Sequence, residues 1–129
     1  MIDRKRLIRE LSKKRATHAR FQNNVISLVY DNTHLRNKVI RRKEKYVANW
    51  SRVGKNIYLD KIVKDEDILP LLVHEAVEKY ITERYKLNVD KESHRIAQVV
   101  ERNFVRDKKD WHLHEERVEY VWKKENKKI

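Results

Sequence analysis

With 129 residues, the chain is long enough for one modest core and too short to divide into two independent domains, so residues 1–129 are expected to form a single unit. Hydrophobic and charged residues each account for 40% of it, and no apolar run approaches the roughly 20 residues that a membrane-spanning helix requires, so no membrane partner is expected. There is no cysteine, which excludes disulfides and thiolate metal sites, and the net charge of +12 lies wholly in residues 1–55, where 16 Lys and Arg face 4 acids, while residues 56–129 hold 16 of each.

Met1-Ile2-Asp3-Arg4-Lys5-Arg6 is charged and no apolar segment follows it, so no secretory signal is expected and a cytoplasmic location follows. Residues 3–20, within a basic segment over 1–22, predict an amphipathic helix in which Leu7, Ile8, Leu11 and Ala19 make a narrow apolar stripe among Arg4, Lys5, Arg6, Arg9, Lys13, Lys14 and Arg15. Such a helix can lie on phosphates, on an anionic surface, or on its own domain with its cations in water.

From Asn24 the period shortens and predicts antiparallel strands within 24–60. These are Val25–Tyr30, closed by Asp31-Asn32, then Leu35–Arg42, Lys45–Trp50 and Asn56–Leu59, with turns near Lys43-Glu44 and Val53-Gly54. They are expected to form a small meander with helices on one face. Asp65-Glu66-Asp67 favours a helix N-terminus and Pro70 suits a first turn, so a helix over about 68–86 follows. Asn88 makes a turn, Asp90 caps a second helix to about 106, and Asp110 caps a third through Trp111, Val118, Val121 and Trp122, completing a helical part over 68–125. The Lys-rich end at Lys123, Lys124, Lys127 and Lys128 is expected to fray. The fold class is α+β: a basic N-terminal helix, a small antiparallel sheet and three C-terminal helices.

Chemistry concentrates in Leu71-Leu72-Val73-His74-Glu75-Ala76-Val77-Glu78. On a helix, Val73, Ala76, Val77, Tyr80 and Ile81 form one stripe, and His74 and Glu78 sit at its edge about 40° apart, with Glu75 beside them. An imidazole and a carboxylate one turn apart can both ligate zinc, and the neighbouring carboxylate can take a proton from metal-bound water. His94, at the start of the next helix, is the best third ligand. Glu101 shares its face and can either approach the same edge or orient the His94 ring, although about 10 Å of helix separates the two. A plain helix-surface hydrogen bond between His74 and Glu78 is the alternative.

The strand Asn56-Ile57-Tyr58-Leu59-Asp60, a short connection, and the helix with His74-Glu75 resemble the core of zincin-like metallopeptidases over about residues 55–101. The resemblance implies a strand beside the active cleft that pairs with an extended peptide or protein substrate, His74 as a zinc ligand and Glu75 as the catalytic base. The motif is a variant, because Glu78 stands where that family has its second His.

Elsewhere, Arg36, Lys38, Arg41 and Arg42 lie near Tyr46, Trp50 and Tyr58, residues that can hold phosphates and stack bases if the sheet is a nucleic-acid platform, or that form core and solvated surface if it is not. His112 and His114 point about 160° apart on a helix and are expected in surface or packing roles, as are His18 and His34. Three functions are therefore expected side by side: a minimal zinc metallopeptidase, a basic nucleic-acid-binding protein without catalysis, and a metal-dependent nuclease.

Overall fold

The computed structural model describes residues 3–127. Met1, Ile2 and Lys128, which the expected N-terminal segment and Lys-rich end include, lie outside the described residues. In chain order the elements are helix α1 (Arg4–Lys13), strands β1 (Thr17–Gln22), β2 (Val25–Tyr30), β3 (Thr33–Arg42), β4 (Ala48–Trp50) and β5 (Asn56–Asp60), and helix α2 (Asp65–Tyr85). A π-helical turn (Val89–Ser93), α3 (His94–Val105) and α4 (Lys108–Glu125) follow. The class is α+β, with a five-stranded, mostly antiparallel sheet in the order β1-β2-β3-β5-β4.

The N-terminal helix is shorter than its composition predicts. It ends at Lys13, and residues 17–22 form an edge strand instead of its last turns. The reason is the pair Asn23-Asn24, whose φ angles of 53° and 60° make a two-residue turn with the twist a hairpin requires. This turn folds Phe21 against Ile26 and Gln22 against Val25. Asp31-Asn32, at φ 53° and 54°, repeats the device between β2 and β3.

The expected meander is also corrected at its far side. After β3 the chain passes outside to form the short edge strand β4, turns at Gly54 (φ 81°), and returns as β5 between β3 and β4. β5 therefore runs parallel to β3 and antiparallel to β4. Ile57 and Leu59 are wholly buried, as an interior position demands, whereas β4 has only three residues, which limits the unpaired edge it exposes.

Helix α2 is the axis of the domain and packs on all five strands as well as on α3 and α4. Leu72, Val73, Val77 and Ile81 have no exposed surface and join Ile26, Leu28, Tyr30, Ile57 and Leu59 in one core. Full burial of each Leu, Ile or Val side chain contributes roughly 1.5–3 kcal/mol. Because α2 is enclosed on most sides, burial extends beyond the expected stripe to Asp67, His74, Glu75, Glu78 and Lys79. It starts at Asp65 rather than 68, so Pro70 falls in the second turn and the Glu66 carbonyl forgoes its usual partner. Asn88 caps the π-helical turn by accepting from Lys91 N–H, and Asp107, not Asp110, caps α4. Lys123 and Lys124 belong to the last turn of α4 rather than to a frayed end.

All helices lie on one side of the sheet. On β2, β3 and β5 the residues Ile26, Leu28, Tyr30, Val39, Ile57 and Leu59 point to them, and the alternate residues face outward. Tyr30 Oη donates to the Leu11 carbonyl at 2.7 Å and so ties α1 to the sheet.

Candidate metal centre

The site is assembled from three elements that the core holds in place. α2 supplies His74, Glu75 and Glu78, α3 supplies His94 and Glu101, and β4 supplies Trp50. His74 and Glu78 are separated by one helical turn, with Nε2 of the ring 3.1 Å from Glu78 Oε2. His94 Nδ1 reaches the same carboxylate oxygen at 3.2 Å, and the two imidazoles meet edge to face with centroids 4.9 Å apart. One donor atom from each of His74, Glu78 and His94 lies within 4.8 Å of the others. Bonds of about 2.05 Å to a tetrahedral zinc place ligand atoms about 3.3 Å apart, so the spacing around Glu78 Oε2 fits that ion. The three expected ligands are thus brought together, with Glu75 Oε2 3.7 Å from His74 Nε2.

His74, Glu75 and Glu78 are buried, while the His94 side chain is 54% exposed. The group faces a cleft of about 790 Å³ between β4 and helices α2, α3 and α4. Val47, at the β4 rim, takes φ 70°, a backbone conformation that β-branched residues rarely adopt, as the chain turns into the strand.

Trp50 and Glu101 hold Glu78 and His74 from behind. Trp50 Nε1–H donates to Glu78 Oε1 at 2.8 Å, leaving Oε2 for the two imidazoles, and the ammonium of Lys79 sits 5.1 Å from the indole centroid. Trp50 therefore faces Glu78 on α2, whereas Tyr58 lies on the outer face of the sheet. Glu101 does not orient His94; its Oε1 lies 2.8 Å from His74 Nδ1. Packing α3 against α2 brings these two side chains together, a relation that spacing along α3 alone does not contain.

Behind Glu101 stands a set of residues that the sequence did not single out. His114 Nε2 contacts Glu101 Oε2, His114 Nδ1 lies 2.8 Å from Asp67 Oδ1, and Arg117 clamps Asp67 through Nε and a terminal nitrogen at 2.8 and 2.9 Å. His114 is buried, whereas His112 is exposed. The available signal was His114 three residues before Arg117, which puts two nitrogen donors on one face of α4.

The electrostatics follow from this burial and pairing. Burial disfavours a charged His74, but Glu101 and Glu78 outweigh it and raise the imidazole to about 10. Burial likewise opposes ionisation of Glu78, yet hydrogen bonds from His74, His94 and Trp50 bring it down to about 2. Glu101 is held below the usual carboxylate range by His114 and His74 against its own burial. Glu75 differs: burial pushes it up to about 8, with the His74 charge opposing and the Glu78 and Glu101 carboxylates adding to the rise. One carboxylate of the site is thus poised to carry a proton near neutral pH while its neighbours stay ionised.

Of the cations expected at a nucleic-acid platform, Arg36, Lys38 and Arg42 are exposed on the outer face of β3, away from the cleft. Arg41 points the other way, and its guanidinium donates to the carbonyls of Asp60, Lys61 and Val63 at 3.0–3.3 Å. Tyr46 is exposed near the cleft, and Tyr58 lies on the outer face beneath the Arg42 guanidinium, 3.7 Å from its ring centroid. Among the described residues no helix is long and apolar enough to cross a membrane. Comparison of the chain with protein-family models, with curated proteins and with solved structures gives no match.

Proposed function

We propose that the chain is a zinc-dependent hydrolase that cleaves peptide bonds, with His74, Glu78 and His94 as the metal ligands. The observation that carries this reading is the convergence of those three donors on one point of an open cleft, with Glu75 beside them. Bound zinc would supply a Lewis acid and a water whose pKa falls to about 7. Glu101 accepts a hydrogen bond from His74 Nδ1–H, so that Nε2 is the nitrogen that would ligate zinc once the ion displaces the proton it carries toward Glu78. Trp50 fixes the Glu78 carboxylate, and Glu75, whose ionised form a bound cation would favour, would accept a proton from water and deliver it to the leaving amine.

The lining favours a peptide over a phosphodiester. Asp90, Glu115 and Glu119 join the three buried glutamates around the cleft, and among the described residues Arg52 is the only Lys or Arg there. A polyphosphate strand is repelled by such a lining, whereas a neutral or cationic peptide is not. The exposed aromatics Tyr46 and Trp122 add an apolar wall for substrate side chains.

The test loads purified protein with zinc, dialyses it against metal-free buffer, and measures bound metal and cleavage of an unfolded protein such as casein. Stoichiometric zinc in the wild type and in Glu75→Gln, loss of zinc in His74→Ala and His94→Ala, and cleavage by the wild type alone are expected. A zinc-free wild type, or undiminished cleavage by Glu75→Gln, overturns the proposal.

A further inference from the structure

Part of the excess positive charge lies away from the cleft, on the outer face of the sheet. In the pleat of β3, His34, Arg36, Lys38, Ile40 and Arg42 point away from the helices, and their cross-strand neighbours on the same face are Val29, Ser27, Val25 and Tyr58. Arg20 extends the face across β2, opposite Ser27, which itself pairs with Arg36. Four permanent cations therefore share one uncovered sheet surface. One acid reaches it: Glu44 Oε2 lies 3.3 Å from Arg42 Nε and leaves only the terminal nitrogens of that guanidinium, whereas Arg20, Arg36 and Lys38 have no acidic partner among the described residues, and Asp60, in register with Arg42, is wholly buried. Asp31 sits in a turn and is occupied by Lys14, Tyr80 and Tyr85, and Glu44 is buried in the connection to β4. A solvated surface kept for solubility alone mixes both signs.

We infer that this open face binds the backbone of a single-stranded nucleic acid along β3, with Arg20, Arg36, Lys38 and Arg42 contacting phosphates. From Arg36 to Arg42 the strand spans about 20 Å, room for several nucleotides. Arginine planes beside Val25, Val29, Ile40 and the Tyr58 ring give unpaired bases flat, partly apolar surfaces to lie on, which a duplex does not use. An anionic bilayer fits less well, since the face exposes no large apolar side chain to insert: Val25, Val29, Ile40 and Tyr58 are half-buried. The sheet separates this surface from the acid-lined cleft, so the inference stands independently of the proposed hydrolase.

The experiment is fluorescence anisotropy with a labelled, mixed-sequence single strand of about 20 nucleotides and the full chain, between about 50 and 200 mM salt. Four phosphate contacts give a slope of log affinity against log salt near −2.8. Arg36→Glu with Lys38→Glu is expected to weaken binding by about tenfold or more and to roughly halve the slope. Reversing Lys108 and Lys109, exposed at the start of α4, makes the same change in net charge and is expected to cost less than about threefold. If the glutamate pair disturbs folding, Arg36→Gln with Lys38→Gln gives the same ordering with smaller losses. Equal losses in the β3 and α4 variants, tighter binding of a duplex of the same length, binding only to anionic phospholipid vesicles, or loss of binding in His74→Ala would each overturn the inference.

Discussion

His74 and Glu101, 27 residues apart and on different helices, face each other with Nδ1 and Oε1 separated by 2.8 Å, both side chains about 7% exposed. Glu101 accepts from Nδ1–H while Nε2 faces Glu78, so Nδ1 is committed to Glu101 and Nε2 is the nitrogen left on the side of His94 and the cleft. Glu101→Gln keeps the shape and an acceptor but removes the charge. Zinc affinity, measured by competition with a chromophoric chelator, is expected to fall about 10- to 100-fold while stoichiometry remains unchanged. An unaltered affinity would reduce Glu101 to a packing residue.

Asp31 supplies a pH dependence away from the candidate ligands. Burial works against its charge, but hydrogen bonds from Tyr85, Lys14 and Tyr80 outweigh it and hold its carboxyl below the ordinary value. A depressed folded pKa means that the unfolded chain binds the proton more readily. The stabilisation is therefore complete above about pH 4 and is lost as pH falls through the folded value. Asp31→Asn preserves the left-handed turn, and it should cost about 1–2 kcal/mol at pH 7, with the gap to wild type closing as acid protonates the folded carboxylate. Urea unfolding at pH 7 and in acid checks this; a gap that does not shrink in acid would show that the carboxylate charge is not what the two tyrosines and Lys14 stabilise.

Much of this architecture was legible because it rests on local chemistry. The alternation from Val25 to Tyr30, the acids in the first turn of α2 and the apolar face of α3 each specify an element, and the spacing of His74, Glu75 and Glu78 specifies one corner of the site. Strand β1 was hidden because Ala19 and Arg20 suit a helix as well as an edge strand, and only Asn23-Asn24 marks the hairpin. The parallel pairing of β5 depends on where the β4 loop returns, which no local pattern encodes. Glu101 was expected near the same edge without its partner being fixed, and the link from His114 to Glu101 was not expected, for the same reason. Their relation to His74 arises from how α3 and α4 cross α2, and a periodicity gives faces of helices without giving which faces meet.

The hairpin signal can itself be tested. Asn24 holds φ 60° and its carbonyl accepts from Val39 N–H at 2.7 Å, so the turn must keep its left-handed form to support the β3 pairing. Asn24→Gly gives the Asn-Gly pair that this turn favours most. A gain of about 0.5 kcal/mol is expected, because relief at positive φ exceeds the extra entropy of the unfolded glycine. Chemical denaturation measures it. Destabilisation would place the contribution of Asn24 in its side chain rather than in its backbone conformation.

Arg41 separates the structural from the interacting cations of β3. Its guanidinium gathers the carbonyls of Asp60, Lys61 and Val63, where the chain leaves β5 on its way to α2. Arg41→Ala leaves those acceptors to water or unpaired, and a loss of about 1–3 kcal/mol in unfolding free energy is expected. Because α2 carries His74, Glu75 and Glu78, the loosened entry into that helix should also weaken zinc retention. Oligonucleotide affinity per folded molecule should change by less than about threefold, since Arg41 faces away from the open side of the sheet. A thermal melt beside the anisotropy titration decides the matter: tenfold weaker oligonucleotide binding at unchanged stability would move Arg41 into the interface and require β3 to present both of its faces to a partner.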